Sequence, residues 1–321
     1  MSYDVIIIGG GPAGVSAGVY AARKKMRVLL LTGTIGGSSS VSATIENWIG
    51  DVSIAGYAFA SRLEEHLRAQ DGLDIRLDES VTGVTKLPDG SFEVKTERGE
   101  TFETKSVIVA SGVRHRHLGV PGEETFTGKG VAYCSTCDAP FFRNKHVAVV
   151  GGGNSAFEAV EDLIPYATKV TILTLDPDFT ADPVLHDRVL GSDKVATVRL
   201  AKSEEIVGER KVTALRYEDL ATNEKRELSC DGVFVEIGMM PNAEPVRDIV
   251  ECNRLGEIVV NPRTFETSTP GIFAAGDVTD LPYRQNNISA GQGAVAALAA
   301  YDFVRGAGAG TGNPTVVVKN V

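Results

Sequence analysis

Hydrophobic and polar positions along the chain fall into blocks with two different periods. Val5-Ile6-Ile7-Ile8 is a continuous apolar run. It leads into Gly9-Gly10-Gly11-Pro12-Ala13-Gly14, a helical segment to about Lys25, and a second apolar run, Val28-Leu29-Leu30-Leu31. Unbroken apolar runs suit strands buried on both faces, so this order predicts a βαβ unit of a parallel sheet. The pattern returns at Val147-Ala148-Val149-Val150 and Gly151-Gly152-Gly153-Asn154-Ser155-Ala156. Ala156, Val160, Leu163 and Ile164 then share a helical face, Pro165 stops the helix, and Val170-Thr171-Ile172-Leu173 is the next strand.

Between and beyond these units the periods change. Residues 54–70 predict an amphipathic helix with Tyr57, Ala60, Leu63 and Leu67 on one face. Short alternating runs from 73 to 110 (Ile75/Leu77, Phe92/Val94, Phe102) predict antiparallel strands with a turn at Pro88-Asp89-Gly90, closing on the strand Val107–Ala110. Ser111-Gly112 breaks the pattern and reads as a domain crossover. In Arg114-His115-Arg116-His117 the spaced histidines lack a third metal ligand nearby, so a solvated basic crossover is expected. Residues 195–237 predict a second antiparallel group, 271–277 a short buried strand ending in Gly276-Asp277, and 289–304 an Ala-rich helix. The tail around Val316-Val317-Val318 reads either as a frayed end or as a segment docked on the body or a second copy.

The glycine spacing adds chemistry to the pattern. Gly9, Gly11 and Gly14 form G-x-G-x-x-G between strand and helix, which lets a pyrophosphate approach the helix N-terminus. Gly151, Gly153 and Ala156 repeat it in the allowed G-x-G-x-x-A form. Two such units predict two nucleotide folds, and the fold class is α/β. A dinucleotide fold ordinarily carries an acidic residue at the end of the second strand, for a ribose hydroxyl. Here both positions are threonine, Thr32 and Thr174. The stretch after Thr174 holds Asp176, Asp178 and Asp182 and no Arg or Lys before Arg188. A 2′-phosphate would meet like charge there, so NADPH is disfavoured and NADH possible.

Composition mostly excludes. The chain has 321 residues, room for about two domains at roughly 150 residues each. Its 32 Lys+Arg against 42 Asp+Glu give a net charge of −10, which argues against a nucleic-acid or anionic-membrane surface. No apolar run reaches the ~18 residues of a membrane span, and no basic leader with a cleavage site opens the chain. A soluble cytoplasmic protein is expected.

Cys134-Ser135-Thr136-Cys137-Asp138 stands just ahead of the second glycine turn. Zinc would need a second pair, and Cys230 and Cys252 are isolated, so no metal is expected. A structural bridge this local would constrain little. A dithiol/disulfide couple is the third reading, with exchange made intramolecular by closeness. Asp138 would then carry a proton for a leaving thiolate, or else be an ordinary turn residue.

Two nucleotide units, C-x-x-C-Asp before the second, and Gly271–Asp277 followed by Tyr283-Arg284-Gln285 resemble the low-molecular-weight thioredoxin reductases. The flavoprotein part of the alkyl hydroperoxide reductase flavoenzyme is a close cousin. The resemblance covers residues 3–304 and implies two Rossmann-like FAD/NAD(P)-binding domains, the second inserted in the first. The FAD-binding domain would be 1–112 with 246–321, and the inserted domain, 113–245, would rotate between a flavin-reducing and a partner-reducing pose. Cys137 would face the flavin, Cys134 would attack the partner's disulfide, and Asp138 would move protons.

The same resemblance implies FAD contacts at Gly9, Gly11, Pro12, Ala13 and Gly14, and at Thr32, Gly36, Gly37, Ser38 and Asn47. It adds Val81 and Gly112, then Gly276, Asp277, Arg284 and Gln285. A nicotinamide nucleotide would lie at Gly151, Gly153, Asn154, Ala156 and Thr174. The implied partner is a thioredoxin-like protein and the implied assembly a homodimer. The chain departs from the family in having Ser38 for the usual glutamine and Thr32 for a frequent glutamate. It also lacks the paired arginines for NADPH around 174–182, and has Thr174 where the NADH-using cousin has glutamate. That cousin's extra N-terminal thioredoxin-like domains are not expected, because the first nucleotide unit starts at residue 4. Some thioredoxin-reductase-like proteins take electrons from ferredoxin instead, and a ferredoxin-type donor is the alternative here. A small-molecule dithiol oxidase or a flavin redox sensor is the reading from a different class.

Overall fold

The computed structural model describes residues 2–42 and 44–306, so the valine tail lies outside the described residues. The chain divides into two compact units, one running to Arg114 and resuming at Met240, the other His115–Met239.

The first unit opens with β1 (Val5–Gly10), α1 (Pro12–Arg23), β2 (Val28–Ile35), α2 (Gly56–Arg68) and β3 (Leu73–Arg76). An antiparallel group follows, β4 (Val81–Lys86), β5 (Phe92–Thr96) and β6 (Thr101–Thr104), and then β7 (Val107–Val109). The second unit takes over within β8 (Val113–His115) and contains α3 (Glu123–Phe126), β9 (Val131–Ala132), α4 (Ser135–Asp138), β10 (His146–Val150) and α5 (Asn154–Leu163). It continues with β11 (Lys169–Leu173), α6 (Pro183–Leu190), β12 (Val195–Val198), β13 (Ala201–Gly208), β14 (Val212–Asp219), β15 (Glu224–Ser229) and β16 (Gly232–Val235). The chain returns through β17 (Met239–Pro241) to β18 (Ile272–Ala274) and α7 (Asn286–Val304).

Each unit is built on a parallel sheet, β18-β7-β1-β2-β3 in the first and β12-β11-β10-β16-β9 in the second. Val5, Ile6, Ile7, Val147, Ala148 and Val149 are fully buried, as unbroken apolar strands at a sheet centre must be. Helices α1 and α7 cover the first sheet through small residues. A Cβ on Gly293 would sit 2.0 Å from the Ala13 carbonyl oxygen, so only glycine allows that approach.

Three expectations are corrected. Ile75 is expected in an antiparallel group with Leu77, but β3 pairs parallel with β2, Ile75 opposite Leu30. Within 195–237 only β13, β14 and β15 are antiparallel; β12 pairs parallel with β11, and β16 with β10. Helices precede β3 and β12, and a helical crossover returns the chain in the parallel direction. On α2 the buried residues are Gly56, Phe59 and Leu67, while Tyr57 is 77% exposed. The inward stripe is therefore 59-63-67, the i, i+4 spacing that begins at Phe59.

Candidate active site

The first glycine turn is shaped for an anion. Helix α1 starts at Gly11 with extended backbone and no side-chain cap, and Pro12 has no N–H to satisfy. The remaining first-turn N–H groups have no intrahelical partner. Gly9 (φ +111°) and Gly14 are required by packing: a Cβ would lie 2.2 Å from the Ala110 carbonyl oxygen or 1.9 Å from that of Gly9. Gly11 is different, because the nearest atom to its Cβ would be Gly37 Cα at 3.9 Å. Its lack of a side chain is not required by packing and leaves room for close approach from outside. Gly36 N donates to the Gly10 carbonyl at 2.9 Å, which brings the 36–42 loop against the turn.

Other predicted residues gather at the start of α7. Asp277 accepts from Ser289 Oγ at 3.0 Å, and burial lifts its carboxyl above the usual range against the pull of Ser289 and Arg284. Gly276 N donates to Gln292 Oε1 at 2.7 Å. Arg284 is ion-paired with Glu257. Gln285 caps α7 by position without a side-chain bond to the helix, and its Oε1 accepts from Asn47 Nδ2 at 3.1 Å. Asn287 Nδ2 donates to the Asn47 carbonyl at 2.7 Å, and Ser39 Oγ to Asn286 Oδ1 at 2.8 Å. Asn286, Asn287, Ser289, Gln292 and Glu257 are not among the residues the sequence points to. The polar residues opening an otherwise Ala-rich helix are the available signal. Ser38 is exposed, Val81 half-buried, and the Gly112 carbonyl accepts from Asn242 N at 3.0 Å. An uncapped helix start facing an open glycine, with a buried carboxyl at a second helix start, fits a nucleotide carrying a pyrophosphate and hydroxyl groups.

Cys134 and Cys137 are joined as a disulfide with Cα atoms 5.3 Å apart. Both flanks of Cys134 are anchored. On one side Tyr133 donates its hydroxyl to Glu123 Oε1 at 2.9 Å and lies 3.0 Å from His117 Nδ1, while the His115 ring sits 5.2 Å away. Glu123 is 3% exposed and also accepts from Leu118 N and Gly119 N at 3.0 and 2.8 Å. On the other side Ser135 and Thr136 donate to Asp162 Oδ2 at 2.8 and 3.2 Å. The crossover is solvated as expected, with Arg114, Arg116 and His117 exposed, but it is also tied down: His117 lies against Tyr133, and Arg114 binds Asn242 and Glu244 at 2.6 and 2.7 Å. Residues on separate elements supply these partners, so no local pattern reveals them.

Burial pushes the Asp138 carboxyl up to about 6, so it holds its proton into the mildly acidic range. Asp138 N donates to the Cys134 carbonyl at 3.0 Å, which ties the carboxyl-bearing residue to the cysteine turn. Behind this segment lies a second raised carboxyl. Burial first, then the negative charges of Glu158 and Asp162, push Glu236 up to about 8. Its folded value stands above the unfolded 4.5, so its stabilising contribution is complete below pH 4.5 and is lost as pH rises through about 8. Glu236→Gln is expected to remove roughly 2–4 kcal/mol of the stability lost between pH 5 and 9. Urea denaturation at several pH values measures it; an unchanged pH slope would mean Glu236 ionises freely.

At the second glycine turn, α5 also starts without a side-chain cap, and Ala156 is fully buried. The acidic loop after β11 folds back over it. Thr180 N donates to the Gly152 carbonyl at 2.8 Å and Asp182 N to Asn154 Oδ1 at 2.7 Å. Thr174, 2% exposed, accepts from Asp176 N at 3.2 Å, while Thr32 Oγ1 donates to the Thr34 carbonyl at 2.8 Å. A Cβ on Gly152 would lie 2.6 Å from Thr174 Oγ1, and one on Gly10 2.8 Å from Thr32 Oγ1. In both units, then, the threonine packs beside the middle glycine and its hydroxyl serves its own loop. The fold also brings Arg199 to the acidic loop, over Phe179 at 5.1 Å and 3.7 Å from Asp178. Arg199 is invisible to the local pattern because it comes from the far end of β12.

Residues 3–297 match the family model described as pyridine nucleotide-disulphide oxidoreductase. The chain belongs to that family. The F component of alkyl hydroperoxide reductase in Staphylococcus aureus is 45% identical over 302 residues, 94% of this chain and 59% of that protein. The NADH dehydrogenase of Bacillus subtilis is 42% identical over 302 residues, 94% of this chain and 58% of that protein. This chain thus spans less than two thirds of the length of either relative. The crystal structure of thioredoxin reductase from Streptococcus pyogenes matches with a TM-score of 0.89 at 36% identity, covering 95% of this chain and 99% of that one. This pyridine nucleotide-disulphide oxidoreductase therefore shares the fold of thioredoxin reductase, with Rossmann-like nucleotide folds, an implied flavin and a disulfide-forming cysteine pair. Among the described residues no helix is long and apolar enough to cross a membrane.

Proposed function

We propose that the protein is an FAD-dependent disulfide reductase that passes electrons from NADH through Cys134 and Cys137 to the disulfide of a thioredoxin-like protein. The observation that carries this reading is the Cys134–Cys137 disulfide, anchored on both flanks, with the raised Asp138 carboxyl in the next position. FAD, when bound, supplies a two-electron couple. Gly11 and the start of α1 would hold its pyrophosphate, and Asp277 with the start of α7 its remaining polar groups.

In the dithiol form, the thiolate of Cys134 attacks one sulfur of the partner's disulfide and the other sulfur leaves, giving a mixed disulfide. Cys137 then attacks Cys134, re-forming the bridge and releasing the partner with two thiols. The partner gains two electrons and the pair loses two. Asp138 gives its proton to the leaving thiolate of the partner and takes one back from the Cys137 thiol as that thiol attacks Cys134. The anchoring of Tyr133 and Ser135 keeps Cys134 in place through both exchanges.

NADH is favoured by the second uncapped helix start and by the loop of Asp176, Asp178 and Asp182, where Arg199 already faces Asp178. A relative named as an NADH dehydrogenase agrees with this. The proposal includes a cytoplasmic location, as the composition leads us to expect, and a homodimer, as the resemblance implies. Anaerobic titration tests the donor. Stoichiometric NADH is expected to bleach the flavin, with NADPH requiring about 100-fold more, because one mismatched charged group costs on the order of 2–3 kcal/mol. Bleaching by reduced ferredoxin but by neither nicotinamide would overturn the NADH assignment. Failure to sustain multiple turnovers with any donor would favour the sensor reading.

A further inference from the structure

Among the described residues, three buried side-chain oxygens have no hydrogen-bond partner: Glu79 Oε1, Thr96 Oγ1 and Ser203 Oγ. Two of the three share one corner of the first unit. Glu79 is 3% exposed and Thr96 1%. The main chain brings them together beside the end of β2. Asp78 N donates to the Gly33 carbonyl at 3.3 Å and Glu79 N to the Thr32 carbonyl at 3.2 Å, so residues 78–79 run alongside 32–33. Thr96 lies opposite Val81 in the β4–β5 register, and Glu97 N donates to the Ser80 carbonyl at 2.8 Å.

A buried carboxylate oxygen without a donor is costly, more so than a neutral acceptor. The other oxygen of Glu79 has Arg98 at 3.7 Å, beyond the length of a charge-assisted hydrogen bond, and that arginine is 61% exposed. The corner is therefore short of donors. The end of β2 is also where a dinucleotide fold presents an acid to ribose. This chain offers Thr32 there, and the Thr32 hydroxyl is turned to the Thr34 carbonyl.

We propose that Glu79 supplies the carboxylate that β2 lacks, and that Glu79 Oε1 with Thr96 Oγ1 binds the adenosine half of the flavin dinucleotide. The donors are the hydroxyls of the adenosine ribose, which suit a carboxylate acceptor. Thr96 adds a weaker, neutral contact. The acid sits outside the strand that ordinarily carries it because residues 78–79 are hydrogen-bonded alongside that strand's end. This inference rests on the cofactor being FAD.

The test separates the two. The flavin released from the purified holoprotein is first identified by chromatography; if it is not FAD, the cofactor reading fails and this one with it. With FAD confirmed, its dissociation constant is measured by dialysis for the wild type and for Glu79→Gln, and again after exchange into FMN, which has no adenosine. Glu79→Gln is expected to weaken FAD binding about 10-fold or more and to leave FMN binding within about 2-fold, as loss of a charge-assisted hydrogen bond predicts. Unchanged FAD affinity, or equal weakening of FAD and FMN, would overturn the proposal. Should Glu79→Gln fail to fold, Thr96→Val decides on the same two constants: FAD weakened about 3-fold or more with FMN unchanged supports it, and both unchanged overturns it. Arg98→Gln is the control, expected to leave FAD affinity as it is. A loss there equal to that of Glu79→Gln would show that the ion pair only holds the turn.

Discussion

Replacing Cys134 by serine is expected to lower turnover with a protein disulfide by at least about 1000-fold, because a hydroxyl at neutral pH is a far weaker nucleophile than a thiolate. Cys137→Ser should lose turnover equally, for a different reason. It can form the mixed disulfide but cannot resolve it, so a covalent adduct with the partner should accumulate. Non-reducing electrophoresis with a thioredoxin disulfide distinguishes the variants: adduct for Cys137→Ser and none for Cys134→Ser. Both should still bind flavin, since the glycine turn and Asp277 belong to the other compact unit. Full activity in Cys134→Ser would show that the attacking thiol is misassigned. An adduct in Cys134→Ser only would reverse the two roles.

The second large effect separates fold from binding at one turn. In Gly14→Ala the new methyl would lie 1.9 Å from the Gly9 carbonyl oxygen. No flexible side chain can yield there, so α1 must move from β1, at a cost of about 3 kcal/mol or more. This variant should purify without flavin and with a lowered melting temperature. Gly11→Ala has 3.9 Å to the nearest atom, so its fold should be intact. Its flavin affinity should nevertheless fall about 100-fold, because the methyl stands where the pyrophosphate would approach, and a lost close contact of that kind is worth roughly 2–3 kcal/mol. Melting curves with flavin absorbance read both outcomes. Equal retention of flavin in both variants would mean that this turn does not carry the cofactor.

Much of the architecture was legible because it is local. The strand–glycine–helix order at Gly9–Gly14 and Gly151–Ala156 depends on backbone geometry over a few residues, and both turns formed as their spacing requires. Helix α5 starts after Gly153 and ends before Pro165 for equally local reasons. Strand direction was less legible. β3, β12 and β16 have compositions that suit either pairing, and only the path of the chain between strands makes them parallel. The inward face of α2 was ambiguous at Tyr57, because an aromatic at the start of an amphipathic helix can be the last residue of one face or the first beyond it.

The cysteine segment shows the same division. Cys134, Cys137 and Asp138 are close in the chain, and that the two cysteines can form a disulfide follows from their spacing. The groups that hold the segment come from separate elements: Glu123 and His117 on one side, Asp162 on the other. Glu236, which shares an acidic patch with Glu158 and Asp162 behind it, arrives from the end of β16. Arg199 meets the acidic loop, and Glu257 meets Arg284, only after the strands between them have folded.

The sequence by itself determined two α/β nucleotide folds, the glycine turns between strand and helix, the close cysteine pair and a net negative charge, because each rests on residue type at short spacing. Only the tertiary structure decided which polar groups face one another. Burial then raises Asp138 and Glu236, and distant hydrogen bonds fix Cys134 on both flanks. The oxygens of Glu79 and Thr96 are left without donors at the end of β2. Those are properties of desolvation and contact, which arise when segments remote in the chain exclude water together.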